Sequence, residues 1–128
     1  MVLFDTHAFV WLVSDQSELS EEAKRLIRDS SGALYLSSIS ALEIGLSVKR
    51  GRLSLPVKPH RFLAEGLSQH GIQEIPLTSE IALLSAKLPE FHNDPFDRIL
   101  IATAQHEGLT LLSKDSKLAE YPDTRVVW

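Results

Sequence analysis

Apolar and polar positions divide this chain into short apolar runs separated by longer stretches with helical spacing. "VLF" at 2–4 is apolar and stops at Asp5, which suits a buried strand better than a helix. "HAFVWLV" then continues as a helix. Ser20 precedes "EEAKRLIRD", where Glu21 and Glu22 favour the positive end of the helix dipole. Gly32 leads into a second strand, "ALYLS". In "SISALEIGLSVKRG", Ile39, Leu42 and Leu46 share one helical stripe and Gly51 marks the C-cap. "LSLPVKPH" is a proline-punctuated loop before a helix near 60–69. "GIQEIP" reads as a short strand, and Thr78 caps "SEIALLSAKLP", which Pro89 ends. "HNDPFDRILIATAQHEG" supplies another helix, closed by Gly108. "LTLLS" is a strand, "DSKLAEY" a short helical turn and "TRVVW" a last strand.

Strands and helices therefore alternate, which predicts an α/β fold. Right-handed crossovers would join five strands into a central, mainly parallel sheet with helices on its faces. A sheet covered in this way needs strands that are apolar throughout, as these are. The 128 residues suit one domain over 1–128. No apolar run nears the ~18 residues of a membrane span. The N-terminal segment lacks a basic region and a cleavage site, so a signal peptide is not expected. The chain has no cysteine, which removes disulfides, thiolate metal sites and cysteine nucleophiles. A cytoplasmic location fits that composition. The net charge of −4 argues against holding nucleic acid by a broad basic surface. A nuclease stays open, because acids gathered around metal ions count as negative in the same sum.

Ligands of such sheets bind beyond the carboxyl ends of the strands, and acids fall near that edge. Asp5 closes the first strand, Asp97 opens the helix leading to the fourth, and Asp115 follows the fourth. Glu43 comes one helical turn after the second. Each also has a local explanation. Asp5 and Asp115 stand where helix caps belong, and Ser40 with Glu43 fits the capping box S-x-x-E. Against that box, Glu43 has Ile39, Leu42 and Leu46 as its helical neighbours, on an apolar stripe. Asp94 is a good N-cap and Pro95 a good first helical residue, which puts Asp97 at the third position. Four carboxylates on one edge would repel one another without a cation. Oxygen ligands without cysteine point to Mg²⁺ or Mn²⁺. The five histidines (His7, His60, His70, His92, His106) show no H-x-x-x-H spacing, so an imidazole metal site is not expected and most should lie on the surface or in loops.

With these residues placed, the sequence resembles the PIN-domain family, in particular the VapC-like ribonuclease toxins of type II toxin–antitoxin systems. "LFDTHAFVWLV", "SSISALEIGLSVKRGRLSL", "HNDPFDRILIATA" and "LLSKD" resemble the family's four motifs in order. A threonine is commoner where this chain has Ser113, and the exchange keeps the hydroxyl. The resemblance implies a three-layer PIN-like fold, with Asp5, Glu43, Asp97 and Asp115 as an acidic quartet holding one or two Mg²⁺ or Mn²⁺ ions. The implied activity is endonucleolytic hydrolysis of RNA. The implied partners are a small antitoxin and a second copy of the chain. Asp94 falls outside the motif and is a cap first, an outer group of the site second. Thr6 and Ser113 stand where a hydroxyl would hold a carboxylate or a metal-bound water, or would satisfy backbone groups at strand ends. Arg98 follows Asp97 and is a weaker candidate for orienting carboxylates or phosphate. Lys49, Arg50 and Arg52 either contact RNA phosphates or complement the dipole at a helix end. Phe9, Trp11 and Leu12 serve either the core or a partner surface.

Two other functions fit the same class. A receiver-type signalling domain needs a phospho-accepting aspartate near mid-chain, and none occurs between Asp29 and Asp94. A catalytically silent PIN-like module that binds RNA or protein would have no need of the intact quartet.

Overall fold

The computed structural model describes all residues 1–128. Its strands are β1 (Val2–Phe4), β2 (Leu34–Ser37), β3 (Ile72–Ile75), β4 (Thr110–Leu112) and β5 (Val126–Val127). They form one sheet in the order β3-β2-β1-β4-β5, and every pairing is parallel. The six α-helices are α1 (Thr6–Ser14), α2 (Glu21–Asp29), α3 (Ile39–Lys49), α4 (Pro59–His70), α5 (Ser79–Lys87) and α6 (Pro95–Glu107). Two 3₁₀ turns, Gln16–Glu18 and Ser116–Glu120, complete the order. The expected α/β sheet is present, and it is wholly parallel.

Alternation along the strands divides the core between the two faces of the sheet. Val2, Phe4, Leu34, Leu36 and Leu112 pack with Phe9, Ala23, Ile44 and Phe62 from α1 to α4. Leu3 and Leu111 turn the other way, towards Ile81 of α5 and Leu100, Ile101 and Ala104 of α6. The result is helix, sheet, helix. Phe9 and Leu12 are buried in the first layer, so they serve the core rather than a partner surface. Trp11 is half-buried, with its ring centroid 5.6 Å from that of Trp128.

Most caps stand where sequence places them. Ser20 accepts from the Ala23 N–H at 2.9 Å, Thr78 from Ile81 at 3.2 Å and Asp94 from Phe96 at 2.9 Å. Gly51, just beyond α3, has φ +71°, a conformation glycine adopts at low cost. The exception is the start of α3. Ser38 holds the N-cap position, and the Ser37 hydroxyl accepts from the Ile39 N–H at 3.2 Å. Ser40 lies inside the helix, fully buried, with its hydroxyl 2.8 Å from that of Thr6. The capping box proposed for Ser40 and Glu43 therefore does not form.

The topology creates the site. The chain leaves β1 in one direction to build β2 and β3, then returns to add β4 and β5 on the other side. β1 and β4 are neighbours at this reversal, and their carboxyl ends open a crevice. Asp5 immediately follows β1. Because α6 feeds the amino end of β4, its own N-terminus, with Asp97, lies near the opposite edge.

Candidate active site

Asp5 occupies the N-cap position of α1, yet its side chain makes no capping hydrogen bond. Its Oδ2 instead accepts from the Ser113 hydroxyl at 2.5 Å, across 108 positions of sequence. The Ser113 oxygen also accepts from the Asp115 N–H at 3.1 Å. One buried hydroxyl thus ties the ends of β1 and β4 together and fixes two acids relative to each other. Asp115 does cap its 3₁₀ turn, with Oδ1 accepting from the Lys117 N–H at 3.0 Å. Its Oδ2 points the other way, 3.9 Å from His92 Nε2. Thr6 bonds Ser40 and so joins α1 to α3 behind Glu43.

The four acids act on one another electrostatically. Burial, with the added charges of Asp94, Asp5, Glu43 and Asp115, raises the Asp97 carboxyl to about 7. Glu43 is also raised, mainly by burial and further by Asp5 and Asp94, while the Thr6 hydroxyl and His7 oppose the shift. Asp97 is raised although it sits in the first turn of α6, where the helix dipole favours a negative charge. The ion pairs present place no Lys or Arg on any of the four carboxylates. Acids crowded in this way require a proton or a cation to relieve their repulsion.

The supporting residues have separate tasks. Asp94 is the cap of α6 and adds its charge to the field at Asp97. Arg98 touches no carboxylate. Its Nη1 donates to the carbonyls of Pro89 at 3.0 Å and His92 at 3.2 Å. Its Nη2 donates to those of Ser85 and Leu88, both at 2.9 Å. The expectation that it orients acids or phosphate is replaced by a role in holding the α5–α6 loop, because a planar guanidinium can satisfy several carbonyls at a helix end. Arg52 lines a groove with Thr6, His7, Trp11, Glu43 and Ser47. Lys49 and Arg50 are exposed at the end of α3.

His92 escaped the sequence reading. It lies in a loop, as expected, but its side chain is only 12% exposed and its Nε2 is buried without a hydrogen-bond partner. One ring nitrogen of His92 and one carboxylate oxygen each from Asp97 and Asp115 lie within 4.8 Å of one another. The available sequence signal was its position just before the Asp94 cap, which makes it part of the turn entering α6. Two carboxylates from separate segments and a nitrogen donor with no partner form a donor set that fits a divalent cation.

A parallel sheet of this order with an acidic crevice at its reversal is a doubly wound α/β fold. The PIN domain model matches residues 2–123, and the chain belongs to that family. Among individual proteins, it is similar to Ribonuclease VapC22 of Mycobacterium tuberculosis (strain ATCC 25618 / H37Rv), 29% identical over 127 residues that cover 98% of this chain and 95% of the relative. A toxin–antitoxin complex from Klebsiella pneumoniae contains a chain of like fold, with a TM-score of 0.68 and 24% identity, covering 100% of this chain and 97% of that one. VapBC2 from Rickettsia felis, bound to a DNA fragment from its promoter, gives a TM-score of 0.73 at 15% identity, covering 99% and 98%.

Proposed function

We propose that this PIN-domain protein is a metal-dependent endoribonuclease and the toxin of a toxin–antitoxin pair. The observation that carries the reading is the mutual electrostatic pressure among Asp5, Glu43, Asp97 and Asp115, none paired with Lys or Arg, such that Asp97 is pushed to about 7. The similarity to a protein named as a VapC ribonuclease supports RNA as the substrate. The shared fold with chains solved in toxin–antitoxin complexes supports a small antitoxin as partner.

The four acids would hold one or two Mg²⁺ or Mn²⁺ ions. Bound there, the metal supplies a water of lowered pKa and a counter-charge for the leaving oxygen. Ser113 fixes Asp5 beside Asp115, and the capped start of α6 presents Asp97 to the same crevice. Arg52 stands beside Glu43 in the adjoining groove and receives a phosphate of the bound strand. Lys49 and Arg50 extend that positive charge along the end of α3. The large exposed side chains Leu42, Leu83 and Phe91 are available to the antitoxin or to a second copy in a homodimer.

The test is induced expression in a bacterium, with RNA 5′ ends sequenced soon afterwards, for wild type, Asp5→Asn and Asp97→Asn. New, discrete 5′ ends should appear only with wild type. If the three chains give the same new 5′ ends, the metal-site reading fails, and if none gives any, a silent PIN-like binding module takes its place.

A further inference from the structure

Capping, ion pairing and core packing leave one group at the crevice without an assigned task, the imidazole of His92. Its surroundings hold it firmly. The ring stacks on Tyr121 with 9° between planes and centroids 6.3 Å apart. Its backbone N–H donates to the Tyr121 hydroxyl at 3.1 Å, and its carbonyl is held by Arg98 at 3.2 Å. Its Nε2 is buried with no hydrogen-bond partner. Asp115 Oδ2, at 3.9 Å, is beyond hydrogen-bond reach.

That separation suits a shared ion better than a hydrogen bond. Two atoms each about 2.1 Å from one cation lie at most about 4.2 Å apart. The His92–Asp115 pair at 3.9 Å meets that limit as it stands. The trio with Asp97, contained within 4.8 Å, meets it after a closure of at most about 0.6 Å, within reach of small side-chain rotations.

We propose that His92 is a direct nitrogen ligand of the divalent ion held between Asp97 and Asp115, and that it tilts this site from Mg²⁺ towards Mn²⁺. The proposal rests on the metal-dependent reading above and adds to the acidic quartet a donor of another kind. Imidazole favours transition ions, whereas Mg²⁺ prefers oxygen and gives up its waters reluctantly. His7 is exposed on the first turn of α1 and serves as the control.

The experiment loads the full chain with Mn²⁺, probes the bound ion by pulsed electron paramagnetic resonance for a coordinated nitrogen, and measures Mn²⁺ and Mg²⁺ affinities by calorimetry. Wild type and His7→Phe should show the nitrogen coupling. His92→Phe, which keeps a ring to stack on Tyr121, and His92→Gln, which offers an oxygen, should lose it. The preference for Mn²⁺ over Mg²⁺ should fall about tenfold or more in His92→Phe. Should either variant fail to fold, heavy-nitrogen histidine in the unmutated chain must still alter the coupling. Bound Mn²⁺ without nitrogen coupling, or coupling that survives in His92→Phe, overturns the role of His92 and leaves the metal site standing. Failure of wild type to bind Mn²⁺ at millimolar concentration overturns both.

Discussion

Asp97 is where structure and titration are most tightly linked. Its carboxyl moves from an ordinary value of 3.8 to about 7 in the fold. Between those values the folded protein binds a proton that the unfolded chain has released. The contribution of Asp97 to stability is therefore complete below about pH 4 and is lost as pH rises through about 7. In chelator, the protein should be less stable at pH 8 than at pH 5, and Asp97→Asn should flatten that fall. For a group this open to solvent the effect is about 1–2 kcal/mol after screening. Denaturant titrations across pH measure it, and parallel profiles for variant and wild type would refute the assignment. Mn²⁺ should restore wild type most at pH 8, because binding to the folded state is linked to loss of the same proton. Ser113 gives a second test at this scale. Ser113→Ala strips a partner from both Asp5 and the Asp115 N–H, which costs about 1–3 kcal/mol, whereas Ser113→Thr keeps the hydroxyl and should recover most of the loss.

Among the elements, the strands were legible because each is a short apolar run whose two faces are both covered. The start of α6 was legible too, since Asp94 and Pro95 act through bonds to residues one or two positions away. The start of α3 was misread for the opposite reason. The Ser38 hydroxyl accepts from the Leu77 N–H at 2.8 Å and Ser40 bonds Thr6, contacts that local spacing cannot reveal. Of the candidate site, Asp5, Asp97 and Asp115 were legible from their places at strand ends and a helix start, and Glu43 as a carboxylate on an apolar helical stripe. His92 was not, because its burial depends on Tyr121, 29 positions later. Arg98 was misjudged likewise, its four acceptors lying in the preceding helix and loop. Arg98→Lys keeps the charge but not the planar fork. It should cost about 2–3 kcal/mol and speed hydrogen exchange within residues 85–94, while α1 and α4 stay protected. Those two helices meet at Gly66, where an added Cβ would lie 2.8 Å from Val13 and 2.9 Å from Phe9. Gly66→Ala should therefore destabilise by about 1–3 kcal/mol, exceeding the ~1 kcal/mol that alanine gains in helix propensity. A urea midpoint at or above that of wild type would contradict so close a crossing.

For the whole molecule, a net charge of −4 and an acidic crevice must be reconciled with the polyanionic substrate proposed above. Local cations beside the acids offer the route, with Arg52 the one that lines the groove. In an Asp97→Asn background that blocks cleavage, Arg52→Ala should weaken RNA binding and lower the salt slope by about 0.7. Fluorescence anisotropy at several ionic strengths checks this, and an unchanged slope would remove Arg52 from the phosphate path. The same groove contains Trp11, whose ring lies 5.6 Å from Trp128, 5.9 Å from His7 and under the Lys114 ammonium at 5.7 Å. These are the chain's two tryptophans, so its ultraviolet emission originates almost wholly beside the crevice. The protein thereby carries its own optical reporter, and the arrival of the proposed RNA strand or partner chain in the groove would be followed in real time without a label.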